Sequence, residues 1–520
     1  MATSDRRTVL HRLSVLGMAA ATPLSGWLAG CASASARPSP LPRSDYLLVN
    51  RLSWGANDQA LDRIGSIGAR RWLADQLQGY VQPTLPPAVE ARIAALTISS
   101  RSLVDMAAEL RARKQRGESL ATEDERKQNQ QALQEEMNRL AREAATRHVL
   151  RALYSPDQIR ERLTWFWFNH FNVFQHKHQI RAMLGDYEEH ALRPHVLGSF
   201  RTLLGAVLHH PAMLLYLDNE QNAVGKINEN LARELMELHT LGVDGGYSQT
   251  DVQELARILT GHGVRPPDEP PRLNKKWAAL YVQDGLYSFH PGRHDFGDKR
   301  LLGHIIKGQG AGELDQALDL LAAHPATAAF ISRKLAKAFC TDLPPDDLVQ
   351  AMATTFRQSD GHIGRTIETM VHHPAFSQTA GQHFKSPVHY VLSAVRAAYN
   401  DQIITNTRPI ENWIQRLGQG LYNRPTPDGY PLTMDAWASS GQMTVRFEVA
   451  RLIGSGSAGL FKGEETGSAE RPAFPQLARP IYYQHVQPGW GPDTRRALDQ
   501  AASPQEWNTL YLSAPEFMYS

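Results

Sequence analysis

The sequence predicts a mainly α-helical globular protein that has long Gly/Pro-rich loops and little strand. The chain has 520 residues, of which 42% are hydrophobic and 21% are charged, an ordinary composition for a packed core. Apolar residues recur at helical spacing along most of the chain, and convincing alternating strands are absent. The formal net charge of +2 lacks the basic excess typical of nucleic-acid-binding proteins, so we expect no nucleic acid partner.

The N-terminal residues 1–31 predict a targeting segment that does not belong to the fold. Arg6 and Arg7 precede a modest apolar stretch and resemble a twin-arginine (Tat) export signal. The letters "LAGC", which end at Cys31, resemble a lipobox whose cysteine receives the lipid. A Ser/Pro-rich tether is expected over 32–44. We therefore expect export by the Tat translocon and a lipid anchor in the cell envelope, on the periplasmic face or the outer membrane.

The helical domain is expected over 45–520. A charged stretch at about 111–147 predicts a solvated arm or helical hairpin rather than core. The letters "HHPAM", "HPATA" and "HHPAF" each place proline at a helix start, where its missing N–H is not needed. Cys340 ends an apolar helix and is expected to be a small core residue. The predicted helices run over 62–77, 103–113, 123–153, 156–174, 252–259, 313–323, 326–340 and 387–398.

The letters "NENLARELMELHTLG" at 228–242 give the first candidate site. Glu234 falls within the apolar stripe of this helix, where an isolated charge is costly and must be paired, protonated or bound to a metal. Asn230 and Glu237 lie on the flank of the stripe, with Arg233 one step further round. The stretch therefore predicts either a structural ion-pair network or a functional site. The stripe comprises Ile227, Leu231, Leu235, Leu238 and Leu241.

A second helix is expected to follow this one after a short turn. Thr250 is expected to be its N-cap, with Gln253 completing a capping box. Arg257 and Glu254 lie on its polar face and are expected to be solvated.

Two further segments carry histidines that could take part in chemistry. The letters "LTWFWFNHFNVF" at 163–174 predict a buried helix, in which His170 is more simply a hydrogen-bonded core residue than a ligand or base. The letters "FHPGRHDFGDK" at 289–299 place His294 beside Asp295 in a turn-rich loop. Such a pair can bind metal, or the carboxylate can orient the imidazole.

Familiar catalytic motifs are missing from the sequence. It contains no HExxH, no phosphate-binding P-loop, no GxSxG and no CxxC. Their absence argues against the standard metalloprotease, nucleotide-binding and serine-hydrolase classes at motif level.

Several long motifs together resemble the bacterial family called domain of unknown function 1800. They include "FWFNHFNVF", "NENLARELMELHTLGVDGGYSQTDVQELARILTGHGV", "HDFGDKRLLG" and "KSPVHYVLSAVRA", in order from about Asp45 to the C-terminus. Tyr430 in "DGYP" stands where the family resemblance leads us to expect tryptophan, and the arm at 111–147 looks like an insertion. The resemblance implies a mainly helical, secreted or envelope-associated protein with no agreed activity. It also implies a possible partner, a sulfatase-like protein of the family called domain of unknown function 1501.

The first functional hypothesis is an envelope hydrolase that acts on a glycan or another extracellular polymer. Glu234 would be the general acid because apolar surroundings raise its pKa, and Glu237 or Asp295 would be the second carboxylate. His294 or His170 would be a base or a metal ligand. In the same hypothesis, the residues that position substrate are Asn230 and Arg233, and those that hold a divalent metal, if one is bound, are Glu234, His294 and Asp295.

The second hypothesis is a non-catalytic assembly partner of a co-exported protein. Glu234 would then meet an arginine in a buried network that specifies helix packing. A binding protein for a small envelope ligand is the third possibility. Convergence of Glu234, His294 and Asp295 within about 5 Å around an open cleft would favour the enzyme.

Overall fold

Helices make up most of the described part of the chain. A computed structural model describes residues 41–79, 84–456, 458–462 and 473–520. The predicted export and lipidation residues Arg6, Arg7 and Cys31 lie outside these ranges. Residues from Leu41 onward form one compact unit, and its first helix begins at Arg43, slightly before the predicted start of the domain.

The helices are numbered in chain order. The first twelve are α1 (Arg43–Leu52), α2 (Asp58–Ile67), α3 (Ala69–Gln78), α4 (Pro87–Ala94), α5 (Thr97–Ser100), α6 (Leu103–Glu118), α7 (Glu123–Tyr154), α8 (Gln158–His170), α9 (Leu184–Asp186), α10 (Phe200–His209), α11 (Pro211–Tyr216) and α12 (Asn230–Glu234). The remaining α-helices are α13 (Gln249–Ile258), α14 (Lys275–Ala278), α15 (Gly312–Ala323), α16 (Pro325–Phe339), α17 (Asp346–Gln358), α18 (Ile363–His372), α19 (Pro374–Gln378), α20 (Pro387–Tyr399), α21 (Arg408–Arg416), α22 (Ser440–Gly454), α23 (Pro492–Asp499) and α24 (Pro504–Ser513). Within the described ranges, three π-helical segments span Tyr187–Leu192, Leu235–Thr240 and Tyr482–Val486.

The strands of the described residues are short and lie in the Gly/Pro-rich region after α13. A three-stranded antiparallel sheet has the order β1-β3-β2, with His262 opposite Phe289 and Val282 also opposite Phe289. A separate hairpin pairs Lys299 with Ile306. The predicted class, mainly helical with little strand, is confirmed. The strands are β1 (His262–Val264), β2 (Val282–Asp284), β3 (Tyr287–Phe289), β4 (Lys299–Leu301) and β5 (His304–Ile306).

Local capping chemistry explains where several helices begin. The three predicted proline starts are confirmed, and the histidine before each proline is the N-cap because its side chain accepts a backbone N–H. The cap of α13 differs from the prediction: Ser248 and Asp251, rather than Thr250 and Gln253, form the capping box. The histidine caps are His210 Nδ1 to Ala212 N at 3.1 Å, His324 Nδ1 to Ala326 N at 3.1 Å and His373 Nδ1 to Ala375 N at 3.3 Å.

The charged arm is a hairpin of α6 and α7. The first turns of α7 are exposed, as predicted, but the helix buries one face from Leu133 onward. Arg147 is 3% exposed, and its Nη2 donates to the Gly185 carbonyl. The predicted arm therefore extends too far towards the C-terminus. Its many charged residues obscure, in the sequence, a row of Leu and Ala residues that pack into the core.

The core is built around α8, whose residues are almost all buried. Trp167 is fully buried and its ring contacts Phe171 and Phe200. Cys340 is also buried, as predicted. None of the helices in the described ranges is long and apolar enough to cross a membrane.

Candidate functional site

The helix that carries Glu234 changes from α to π geometry directly after that residue. The wider turn is closed by the Leu241 N–H, which donates to the Met236 carbonyl at 2.8 Å. Leu231, Leu235 and Leu241 are buried as predicted, but Leu238 is half-buried and Ile227 lies before the helix with 41% exposure. The apolar stripe is therefore interrupted, and π turns of this kind are frequent at functional sites.

Glu234 is half-buried and receives no hydrogen bond or close ion pair from the described residues. Burial raises its pKa, and the negative charges of Glu237 and Asp428 raise it further against the opposing charge of Arg233. The carboxyl groups of Asp157 and Glu411 also have raised pKa values, but each of them has a hydrogen-bond partner. Arg160 binds Asp157 at 2.6 Å, and Thr407 donates to Glu411 at 2.8 Å.

Asp428 reaches this region from the loop 424–430, far along the chain. Burial raises its pKa, but hydrogen bonds from Arg424 and Thr426 outweigh burial, so the pKa is lowered overall. Arg424 Nη2 lies 2.7 Å from Asp428 Oδ2. Glu234 and Asp428 are thus within electrostatic reach of each other, with pKa values displaced in opposite directions.

Two asparagines of the α8 region hold the loop 424–430 in place. Asn169 donates to the Tyr430 carbonyl at 2.9 Å, and its Oδ1 accepts the Tyr430 N–H at 2.6 Å. Asn172 Nδ2 donates to the carbonyls of Arg424 and Thr426, each at 2.9 Å. Tyr216, which is within electrostatic reach of both Glu234 and Asp428, donates its hydroxyl to Pro425 O at 2.8 Å. The loop is therefore rigidly fixed beside the helix of Glu234.

Gly429 is required where the loop touches α8. Its φ is +74°, and an added Cβ would lie 2.0 Å from the Asn169 carbonyl oxygen. Only glycine combines this backbone conformation with so close an approach.

Two buried histidines, His170 and His239, lie on the core side of the site, together with the half-buried Lys334. His170 is 1% exposed, and its Nε2 donates to the His239 carbonyl at 3.0 Å, so the prediction of a hydrogen-bonded core histidine is confirmed. His170 Nδ1 and both ring nitrogens of His239 have no hydrogen-bond partner among the described residues. Burial lowers the pKa of Lys334 to about 8, although the charge of Asp428 opposes this shift. Both imidazoles are kept neutral, since burial lowers the pKa of His239 to about 3 and that of His170 well below its usual value.

The predicted substrate-positioning residues have structural partners. Arg233 binds Glu229 at 2.8 Å and Gln249 at 3.0 Å instead of Glu234. Asn230 donates its Nδ2 to Leu217 O at 3.2 Å, which ties the start of α12 to the preceding loop.

His294 lies in a buried ion cluster and not beside Glu234. The side chains of His294, Lys299 and Glu313 are all 0% exposed. His294 Nε2 lies 2.9 Å from Glu313 Oε1, Lys299 Nζ binds Glu313 Oε2, and His294 Nδ1 lies 2.8 Å from Thr260 O. Both ring nitrogens are therefore occupied, which leaves none for a metal or a substrate.

Asp295 is likewise taken up by a protein partner. Arg257 Nε and Nη2 bind its two oxygens at 2.8 Å and 3.2 Å, and this bidentate pair lowers the pKa of Asp295. Arg257 also binds Glu254 at 2.8 Å, so the expectation that both are simply solvated is corrected. The proposed metal set of Glu234, His294 and Asp295 is not assembled.

One other group of metal-type ligands occurs within the described ranges. The ligand atoms of His178, Asp218 and Glu220 lie within 4.8 Å of one another. Lys177 Nζ already binds Asp218 Oδ2 at 2.8 Å, so the positive charge of Lys177 already offsets the negative charge of Asp218.

Of the predicted residues, the structure therefore keeps Glu234 and Glu237 together and separates them from His294 and Asp295. Sequence reasoning missed Asp428, Tyr216 and Lys334. Two signals were available: the asparagines Asn169 and Asn172 in an otherwise apolar helix, and the irregular segment around "RPTPDGY". Neither signal reveals that these two asparagines form hydrogen bonds to that irregular segment.

These features describe a mainly helical protein with a partly exposed group of carboxylates on a rigid base. The family model described as "Protein of unknown function (DUF1800)" matches residues 47–519. The chain belongs to this family, as the motif resemblance predicts. No curated protein and no solved structure matches the chain.

Proposed function

We propose that this protein is a hydrolase of the cell envelope that uses Glu234 as general acid on a glycan or another extracellular polymer. The observation that carries the proposal is the pair of carboxyl groups, Glu234 and Asp428, whose pKa values are moved apart within one site. Such pairs provide an acid and an ionised group at the same pH.

Each carboxyl group has a defined task in this proposal. Protonated Glu234 gives its proton to the leaving-group oxygen, a water molecule supplies the hydroxyl to the other fragment, and the remaining proton of that water returns to Glu234. Asp428 is held ionised by Arg424 and Thr426, and its negative charge helps to raise the pKa of Glu234 without contacting the substrate. Glu237 also raises the pKa of Glu234 through its negative charge, and as the second carboxylate it stabilises the positive charge that develops on the substrate.

The surroundings of the helix suit a large substrate rather than a small enclosed one. Glu234 and Glu237 are reached by solvent, and exposed apolar side chains flank the helix: Val224 and Ile227 before it and Val243 after it. The rigid loop 424–430 would form one wall of the binding surface.

The location proposed for this activity rests on residues 1–31. Arg6 and Arg7 would direct export, and Cys31 would carry the lipid that holds the protein at the membrane. Labelling cells with a radioactive fatty acid tests the anchor, because a Cys31→Ala variant should lose the label and leave the membrane fraction.

Activity assays on a panel of envelope and extracellular polysaccharides test the catalytic proposal. We expect the wild-type chain to release reducing ends and Glu234→Gln to lower the rate by about 10²–10⁴-fold, the usual contribution of general acid catalysis. Glu135→Gln, an exposed change on α7, is the matched control and should leave the rate unchanged. Full activity of Glu234→Gln, or no product from any polymer, would contradict the proposal.

A non-catalytic role is the second candidate. The exposed apolar residues Val224, Ile227 and Val243 could bury against a partner, for which the sulfatase-like family is the candidate. Val243→Asp would then abolish co-purification of the two proteins, whereas Glu234→Gln would leave it intact.

A further inference from the structure

A pocket of about 50 Å³ lies between α8, α16 and the start of α20. Aromatic rings form much of its wall, including Trp54, Trp165 and Phe339. The polar side chains that line it are Arg162, Asn169, His383, Ser386, His389 and Gln419.

Arg162 is held rigidly in this wall. It is 7% exposed, and its Nη1 donates to Arg51 O at 2.8 Å and Ser53 O at 2.9 Å. The guanidinium group also lies over the rings of Phe339 and Trp54, at 4.9 Å and 5.2 Å from their centroids. Its Nη2 reaches Ala338 O only at 3.5 Å, the limit of a hydrogen bond, which leaves this donor poorly used beside the pocket.

Further buried cations act on the same wall. Arg51, Lys385 and Arg446 are 1%, 2% and 0% exposed. Burial lowers the pKa of His389, and the charges of Arg162, Lys385 and Arg446 lower it further. Burial lowers the pKa of His383 to about 4, with Arg162 and Arg51 contributing. Both histidines are therefore neutral near pH 7, and the field at the pocket is positive.

Counter-charge is scarce around these cations. Within the described ranges, Arg51, Arg162, Lys385 and Arg446 form no ion pair; their guanidinium groups bind carbonyl oxygens, and Lys385 Nζ lies 4.0 Å from the Phe517 ring centroid. Asp342 approaches from one side, 3.8 Å from His383 Nε2. Three buried guanidinium groups thus lack a paired carboxylate among the described residues, and burial lowers the pKa of Lys385 beside them to about 7, although buried charges are usually paired because desolvation is costly.

We propose that this pocket binds a small oxyanion, a phosphate or carboxylate group, through Arg162 and the neutral polar side chains of its wall. The volume suits such a group, since one ordered water needs about 10–15 Å³ by the same measure. Water molecules could satisfy the hydrogen bonds but would not offset the net charge. The planar fork of arginine matches the oxygens of a phosphate or carboxylate. This proposal does not depend on the activity assigned to Glu234.

Titration calorimetry on the purified full-length chain at pH 7 tests the proposal, with sodium phosphate, sodium acetate and neutral glycerol as probes at constant chloride. We expect saturable one-to-one binding of phosphate or acetate and none of glycerol. Phosphate binding alone identifies a phosphoryl ligand, and acetate binding alone identifies a carboxylate.

A pair of matched variants locates the bound ion. Ala338→Val adds volume to the pocket wall without removing a charge and should weaken binding by about tenfold or more. Ala329→Val makes the same change at an exposed position of the same helix and should bind as the wild type does. Arg162→Gln should abolish binding; if that variant does not fold, the alanine pair decides alone. No saturable oxyanion binding, or equal affinity in Ala338→Val and the wild type, would overturn the proposal.

Discussion

Glu313 and Glu234 are two glutamates of the same molecule with opposite surroundings. Glu313 is fully buried, binds His294 and Lys299, and accepts the N–H groups of Gln309 and Gly310 at 2.8 Å and 2.9 Å. Burial raises its pKa, but these hydrogen bonds outweigh burial and lower the pKa overall. Glu234 is half-exposed, lacks such partners and has a raised pKa.

The difference between the two glutamates distinguishes a carboxylate that stabilises the fold from one that is available for catalysis. A carboxylate whose lone pairs are all satisfied by its own protein is fixed and unavailable to a substrate. Glu234 retains its lone pairs and stands in a field that favours its protonated form, as a general acid requires. Burial of a carboxyl group is therefore a poor guide to its function. Whether the group has hydrogen-bond or ion-pair partners within the protein is a better guide.

The largest expected effect comes from breaking the buried cluster. Glu313→Gln should lower the free energy of unfolding by about 3–5 kcal/mol, because it leaves Lys299 buried without a counter-charge. Urea denaturation at pH 7 measures the change. A loss below about 1 kcal/mol, the range of exposed ion pairs, would remove the distinction drawn between the two glutamates.

Gly429→Ala should have the next largest effect, because it disturbs the loop that brings Asp428 to Glu234. Its positive φ costs about 1–3 kcal/mol for a residue with a Cβ, and the clash with Asn169 O adds to this cost. Gly381→Ala is the control, since Gly381 has the same φ of +74° and no atom within 4 Å of the added Cβ. Equal destabilisation of the two variants in urea would show that contact with α8 is unimportant.

The pH dependence of stability tests the raised pKa of Glu234. A folded-state pKa above the ordinary value of 4.5 means that folding favours the protonated form, so ionisation costs stability as pH rises through the folded-state pKa. Glu234→Gln avoids this cost and should gain stability over the wild type between pH 4 and pH 7. Urea midpoints at each pH measure the gain, with Glu135→Gln as control. A gain that shrinks as pH rises would contradict the assignment.

Arg233→Gln should have the smallest effect. Arg233 is partly exposed and pairs with Glu229 on the surface, so the loss should be about 0.5 kcal/mol or less. A larger loss, in the range expected for Glu313→Gln, would indicate that Arg233 is the buried partner of Glu234 and would favour the scaffold hypothesis.

Much of the fold follows from local sequence. Helical periodicity, proline starts and histidine caps involve residues a few positions apart, and the helix predicted at 123–153 is observed as Glu123–Tyr154. The π turn after Glu234 could not be predicted, because it moves Leu238 partly out of the core against the ordinary helical period.

The sequence by itself determined the mainly helical class, the family and the unusual placement of Glu234 among leucines. Tertiary structure alone decided which groups meet: Asn169 contacts Tyr430 across a separation of 261 residues, and this contact brings Asp428 to Glu234. Tertiary structure also placed His294 against Glu313 and Asp295 against Arg257. The physical reason is that helix patterns depend on neighbours within one or two turns, whereas the pairing of charges depends on which distant segments pack together.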